Sequence, residues 1–316
     1  MDVVFIGMIL TMNFLEHNTS PLAPLLVKKK NKKMQIIDGK RISKYILEDI
    51  KKEVEKLDFV PVFCDVLVGV DPASVQYVNM KRKKAESLGI EFHEAFFGAE
   101  ISTDQLVQEI KKINKIENMC GVIVQLPLPE HVNARESLDA IDPRLDVDAL
   151  GSVNSQNFYQ GGSAVGLPTA LACMVLLDSL DLDLKEKNIV VLGYGDLVGK
   201  PVFSLLEKRG LNPVALRSQT ENKEEILKNT DVIISGIGKG LYINRDMIKE
   251  GVVIIDAGTS EEGAGIVGDV DLESVRSVAS YVSPVPGGVG PVTIAMLFKN
   301  VLEVAKQKQK QNESNK

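Results

Sequence analysis

Apolar positions along the chain change period repeatedly, and each change marks an element. Ile42, Ile46, Ile50, Val54 and Leu57 recur at helical spacing, and the run PVFCDVLVGV after them reads as a buried strand. A helix over SVQYVNMKRKKAESLG, a strand over EFHEAFF, a helix over TDQLVQEIKKINKI and a strand over GVIVQL continue the alternation. After a loop-like stretch from Asp142 to Gly166, rich in Asp, Gly, Ser and Asn, a second series begins. It runs through a helix over TALACMVLLDSL, strand NIVVLG, a helix after Gly199, strand PVALRS, a helix near EEILKN, and strands DVIISGIG and VVIIDAG. The Gly/Pro cluster SPVPGGVGPVT, a helix over IAMLFKNVLEVAKQ and a polar tail expected to fray close the chain. Strands separated by helix-length segments require βαβ crossovers, so the predicted class is α/β with parallel sheets covered on both faces.

Length and composition refine this picture. At 316 residues, 44% hydrophobic and 25% charged, the chain predicts two ordinary globular domains. A formal charge of -6 supplies no overall basic field, so nucleic acid is not expected as a partner. Cys64, Cys120 and Cys173 lie far apart and the three histidines are scattered, which predicts reduced thiols, a cytoplasmic location and no metal site. The apolar stretch Val3 to Leu15 precedes the basic run KKKNKK, yet Thr11 and Asn13 interrupt it and it falls short of the roughly 20 residues a spanning helix needs. Residues 1–33 are therefore expected to be a disordered tail or an over-extended start, with no membrane role, and Met34 opens the folded sequence.

In NIVVLGYGDLVGKP, Gly193, Gly195 and Gly199 follow a buried strand and precede a helix, the context of a dinucleotide-binding turn. Backbone N–H groups there can approach a pyrophosphate, and the helix N-terminus favours its charge. The spacing G-x-G-x-x-x-G meets the usual fingerprint only in part, and a purely structural turn is the alternative. The next strand ends in Leu216, Arg217 and Ser218, where an NAD-binding unit presents an acid to the ribose hydroxyl. A guanidinium and a hydroxyl suit a 2'-phosphate instead, so NADP is expected, with NAD the alternative.

Tyr77 and Lys81 lie four apart on one predicted helix and share a face. By pattern alone that is more often a surface pair. Gln125 ends the apolar run GVIVQLPLP, where a parallel strand delivers side chains to a ligand crevice. Asp146 and Asp148 alternate in LDVDALG, so only one is expected to enter the cleft; turn formation is the alternative. SPVPGGVGPVT describes a stiff backbone that admits close approach of a ligand, or a rigid connector, or both.

Together, DPASVQYVNMKRKKA, GVIVQLPLP, DVD, GYGDLVGKP, VGDVD and SPVPGGVGPVT occur in the order of the bifunctional methylenetetrahydrofolate dehydrogenase/cyclohydrolase family, which the chain resembles from about Met34 to Val304. The resemblance implies oxidation of 5,10-methylenetetrahydrofolate with NADP and hydrolysis of the product to 10-formyltetrahydrofolate. It implies a folate cleft between a catalytic domain (34–155 plus 290–310) and a Rossmann-like cofactor domain (156–289), with the last helix returning to the first domain. Lys81 would be the catalytic lysine, Tyr77 would pack on the pterin, Gln125 would tune the lysine and Asp148 would hydrogen-bond the pterin ring. Val124, Leu126, Pro286, Gly290 and Thr293 would complete the substrate site. Thr169, Gly193, Tyr194, Gly195, Leu197, Arg217, Ser218, Gly236 and Thr259 would hold the cofactor. A homodimer formed through the cofactor domain is implied as well. Because an ammonium would be repelled by the cationic methenyl intermediate, Lys81 is expected to work largely neutral, as general base or proton relay.

Departures from the family pattern concentrate around the cofactor. Gly193, Tyr194 and Gly195 replace its G-R-S, removing an arginine, while Arg217 stands where many members have histidine. GLPTA replaces P-C-T-P and leaves Thr169, GTS at Gly258 to Ser260 replaces G-I-N, and DVDA replaces DVDG. These departures keep two alternatives open: a dehydrogenase-only enzyme, and a folate-binding homologue without cofactor use.

Overall fold

The computed structural model describes residues 34–163, 165–263 and 265–314, so the expectation for residues 1–33 lies outside the described residues. Its elements in chain order are β1 (Gln35–Ile36), α1 (Gly39–Val54), β2 (Val62–Val68), α2 (Pro72–Ser87), β3 (Glu91–Phe97), α3 (Thr103–Ile113), β4 (Met119–Val124), α4 (Ala134–Asp139) and α5 (Ser152–Gln160). There follow α6 (Pro168–Asp178), β5 (Ile189–Leu192), α7 (Gly199–Lys208), β6 (Val214–Leu216), α8 (Lys223–Lys228), β7 (Val232–Ser235), β8 (Val253–Asp256), β9 (Ser260–Glu262), β10 (Gly265–Val267), α9 (Leu272–Val275), β11 (Tyr281–Val282) and α10 (Val289–Ser314). The described residues form two compact α/β units. Residues 45–167 and 297–314 make one, and residues 34–44 and 168–296 the other, so the junctions fall at 167 and 297 where the sequence division puts 155 and 290, and residues 34–44 group with the second unit and not, as expected, with the first. No described helix is long and apolar enough to cross a membrane.

In the first unit a parallel sheet has the order β3-β2-β4. Alternation along β2 sends Val62, Cys64, Val66 and Val68 into a cluster with Leu106, Ile110 and Ile113 of α3. Phe63 on the opposite face packs edge-on against Phe92 and Phe298. Local chemistry starts the helices. Asp71 accepts the Ser74 N–H at 2.8 Å and Pro72 occupies the first turn of α2, while Ser102 and Gln105 form a reciprocal capping box on α3.

The second unit carries a six-stranded parallel sheet in the order β1-β11-β8-β7-β5-β6. Val190, Leu192, Ile233, Ile254 and Val282 build its core with Leu216 and Leu227.

Three expectations change. The stretch from Asp142 to Gly166 is not all loop, because α5 forms within it between Gly151 and a left-handed Gly161; its mostly polar sequence hides the helical period. The polar tail does not fray before Ser314, since Lys306 pairs with Glu53 at 2.6 Å and Gln309 accepts the Asp58 N–H at 3.3 Å. The last helix begins at Val289 and not at Ile294, so the end of the Gly/Pro cluster forms its first turn, which Pro291 tolerates because that turn needs no N–H donor. The two-residue strands β1 and β11 and the β9–β10 hairpin are too short to carry a legible period.

Candidate active site

Lys81 projects from α2 toward the sheet and is buried. Its Nζ donates to Oε1 of Gln125 at 2.7 Å, so the residue following β4 meets the one on the helix. The amide of Gln125 is fixed in turn by its Nε2, which donates to the Leu126 carbonyl at 2.8 Å. A buried lysine is costly unless charge accompanies it, and Asp65 in the middle of β2 supplies that charge, with Oδ2 2.6 Å from Nζ. Burial pushes the Asp65 carboxyl above its ordinary range and Lys81 opposes the rise. Asp65 was not among the expected site residues; a single acid in an otherwise apolar strand was the signal.

Tyr77 lies one turn before Lys81 on α2 and is exposed, leaving its ring open to a ligand. Val124 belongs to the apolar core, where its side chain packs beneath the site. Leu126 and Gln125 are half-buried.

The two aspartates of the DVD segment divide their work. Asp146 is buried and accepts the N–H groups of Gly151 at 2.9 Å and Leu150 at 3.4 Å, closing the turn in which Ala149 adopts a φ of 55°. Asp148 is half-buried and feels Lys81, with its carboxyl pushed up to about 7. Burial is the main cause, Lys81 opposes it, and Asp146 and Asp65 add to it. Asn300 of α10 holds this segment, donating from Nδ2 to the carbonyls of Val147 and Gly166 at 2.7 Å each. It was missed because one Asn in a terminal helix reads as surface.

In the second unit the cofactor turn follows β5. A Cβ on Gly199 would lie 2.2 Å from the Gly193 carbonyl oxygen, and one on Gly193 would lie 3.0 Å from that of Gly236, so Gly199 lets the start of α7 close on the turn after β5 and Gly193 lets that turn close on the loop after β7. Gly195 alone of the three turn glycines faces open space, with exposed Leu197 beside it. The loop after β7 is shaped by Asp269 of the VGDVD motif, which accepts from Ser235 Oγ at 2.6 Å and from the N–H groups of Ile237 and Lys239 at 2.9 and 2.8 Å. Asp256 accepts the N–H groups of Gly258, Asp269 and Val270, and burial beside Asp269 pushes its carboxyl up to about 7. Gly236 is closed by Val198, whereas Thr259 is exposed and Thr169 half-buried.

Arg217 and Ser218 stand just beyond β6, and the Arg217 guanidinium lies 4.2 Å from the centroid of the Tyr194 ring. Tyr194 is braced edge-on by Phe203. A dinucleotide fits this donor set: open backbone at Gly195, a cation in place of the usual acid, and a helix N-terminus at Gly199. Pro286 and Gly290 are exposed in this unit and Thr293 is half-buried. Gly288 is used by the chain itself, since a Cβ on Gly39 would meet its carbonyl oxygen at 1.8 Å. Among the described residues no three His, Cys, Asp or Glu side chains cluster as a metal site would require.

Comparison with known families settles the lineage of this arrangement. The tetrahydrofolate dehydrogenase/cyclohydrolase catalytic-domain model matches residues 37–148, and the NAD(P)-binding-domain model of the same family matches residues 168–309. The chain belongs to the tetrahydrofolate dehydrogenase/cyclohydrolase family. A bifunctional protein FolD of Nitratiruptor sp. is 42% identical over 281 residues, covering 88% of this chain and 100% of that one. The crystal structure of the bifunctional FolD from Campylobacter jejuni superposes with a TM-score of 0.83 at 35% identity, covering 87% of this chain and 99% of the other. That of Trypanosoma brucei FolD, complexed with NADP cofactor and inhibitor, gives a TM-score of 0.83 at 31% identity, covering 87% and 98%. The α/β class, the two domain types and the NAD(P)-binding domain expected from the sequence are thus those of the tetrahydrofolate dehydrogenase/cyclohydrolase family.

Proposed function

We propose that the chain oxidises 5,10-methylenetetrahydrofolate to 5,10-methenyltetrahydrofolate with NADP and hydrolyses the product to 10-formyltetrahydrofolate. The observation that carries this reading is the buried contact of Lys81 with Gln125, flanked by Asp148, in a family member that keeps both domain types.

The substrate carbon lies between two nitrogens, so losing a hydride leaves a delocalised amidinium cation and no proton need be taken from that carbon. NADP, when bound, accepts the hydride. The first domain's task is to position the carbon, with Tyr77 against the pterin and Asp148 accepting its N–H groups. Hydrolysis then requires water to add to the cation and to lose a proton, which Lys81 is placed to take while Gln125 holds its Nζ. Arg217 and Ser218 would hold the 2'-phosphate, and Gly195 would admit the pyrophosphate. Assembly as a homodimer and residence in the cytoplasm belong to the same reading; the buried free cysteines Cys64, Cys120 and Cys173 support a reducing compartment.

The test is spectrophotometric. Reduced nicotinamide should appear with methylenetetrahydrofolate and NADP, more slowly with NAD, and methenyltetrahydrofolate should decay faster with enzyme than without. Reduction with neither cofactor would favour the folate-binding homologue, and reduction without accelerated decay the dehydrogenase-only form.

A further inference from the structure

The chemistry above leaves one buried acid unused. Asp65 lies in β2, whose seven residues are all buried, and every other position of that strand is apolar. It is 0% exposed, and its Oδ1 has no hydrogen-bond partner among the described residues. Oδ2 meets Lys81 Nζ at 2.6 Å as a close ion pair, while the directed hydrogen bond of Nζ goes to Gln125 at 2.7 Å. A buried ion pair is a poor stabiliser compared with apolar side chains of similar volume, and a β-branched residue would suit this strand better. Strand stability therefore gives no reason for the acid, whereas its contact with Lys81 does.

We propose that Asp65 is the proton store of the hydrolytic step, acting through Lys81. The proposal rests on the reading of Lys81 as the group that meets the attacking water. As water forms its C–O bond to the methenyl carbon, the C=N π pair returns to nitrogen, one water proton passes to Nζ, and an Nζ proton passes to Asp65 Oδ2. Lys81 is an ammonium before and after the step. The adduct then collapses: its hydroxyl loses a proton, the C–N bond to one ring nitrogen breaks, and that nitrogen gains a proton. Asp65 finally returns its proton through Lys81 to solvent, so hydrolysis of the cation releases one proton overall.

This removes the need for a neutral lysine. An ammonium neutralised by Asp65 presents no net charge to the substrate cation, so repulsion no longer demands deprotonation before attack. Burial also makes the carboxylate a better proton acceptor than a surface acid. The other charged groups near the pair are Asp148, Asp146 beyond it, and the Arg82–Glu94 pair, with Glu94 in register beside Asp65 on β3. Arg82 and Glu94 neutralise each other, which leaves Asp65 as the acceptor in contact with Nζ.

The experiment compares Asp65→Asn and Lys81→Met with the full-length wild-type chain, assaying both activities across pH. Asp65→Asn should lower cyclohydrolase kcat on the order of 10²-fold. It should disturb the dehydrogenase much less and make hydrolysis rise steeply with pH, because Lys81 must then lose a proton before attack. Wild-type hydrolysis in mixtures of light and heavy water should follow a curved dependence on deuterium fraction, as two protons move together. That measurement needs no variant and decides the matter should Asp65→Asn fail to fold. Wild-type rates in Asp65→Asn, equal losses of both activities with an unchanged pH profile, or a linear or absent isotope dependence would each overturn the proposal. Full hydrolysis by Lys81→Met would instead overturn the underlying reading of the site, an outcome distinct from an active Asp65→Asn beside an inactive Lys81→Met.

Discussion

The Arg217 guanidinium stacks on Tyr194 at 4.2 Å from the ring centroid, joining the strand-end cation to the turn that follows β5. The chain thus places a cation at its cofactor turn although Tyr194 stands where an arginine is common in the family. Arg217→Ala should raise KM for NADP by roughly 10- to 100-fold, the worth of charge-assisted hydrogen bonds to one phosphate, and leave KM for NAD nearly unchanged. Tyr194→Ala should produce a smaller loss of a few-fold through the lost stacking. Steady-state kinetics with both nucleotides check this; equal effects on NADP and NAD would remove Arg217 from the phosphate.

The turn glycines separate packing from binding. Gly199→Ala should destabilise the second unit, because a Cβ at 2.2 Å from the Gly193 carbonyl oxygen forces the backbone to move. Gly195→Ala should leave the melting temperature unchanged and raise KM for NADP, since its Cβ meets nothing in the protein and stands where a pyrophosphate would approach. Thermal melts alongside cofactor titrations distinguish the two.

How much of this was legible beforehand depended on whether the signal was periodic or solitary. The strands and most helices announced themselves through long apolar runs, and ordered motifs pointed to Lys81, Gln125 and Asp148 as candidates, of which the fold brings Lys81 and Gln125 into contact. Asp65 and Asn300 each act alone, and the meaning of a single polar residue depends on what the fold sets opposite it. The division between Gly195 and Gly199 was equally hidden, as both read as glycine in one turn and only the backbone path tells open space from contact. Helix α5 escaped because its polar sequence carries almost no apolar stripe.

Asn300→Ala would leave the Val147 and Gly166 carbonyls without their side-chain donor. A loss of about 2–4 kcal/mol in urea unfolding is expected, together with a lower kcat as the Asp148 segment loosens. An unchanged midpoint would mean that water replaces the amide.

Asp148 supplies the pH dependence. With its carboxyl pushed up to about 7, it is protonated below that pH and ionised above it, and only the ionised form accepts from the pterin N–H groups without competition. On the proposed role of Asp148, kcat/KM for methylenetetrahydrofolate should therefore fall as pH drops through about 7, and Asp148→Asn should remove that limb while lowering the plateau. The sign for stability is opposite. A carboxyl whose folded pKa is raised costs the folded state nothing at low pH, so its contribution worsens as pH rises from the ordinary carboxylate range through about 7. Urea midpoints of the ligand-free protein should thus shift upward at neutral pH in Asp148→Asn.

The central claim is that one buried lysine serves hydrolysis in a chain that also oxidises the same folate. The decay of methenyltetrahydrofolate with Lys81→Met, scaled to the fraction folded, tests it most directly. A loss of at least about 10²-fold relative to wild type is the predicted result, and decay at the wild-type rate would contradict it.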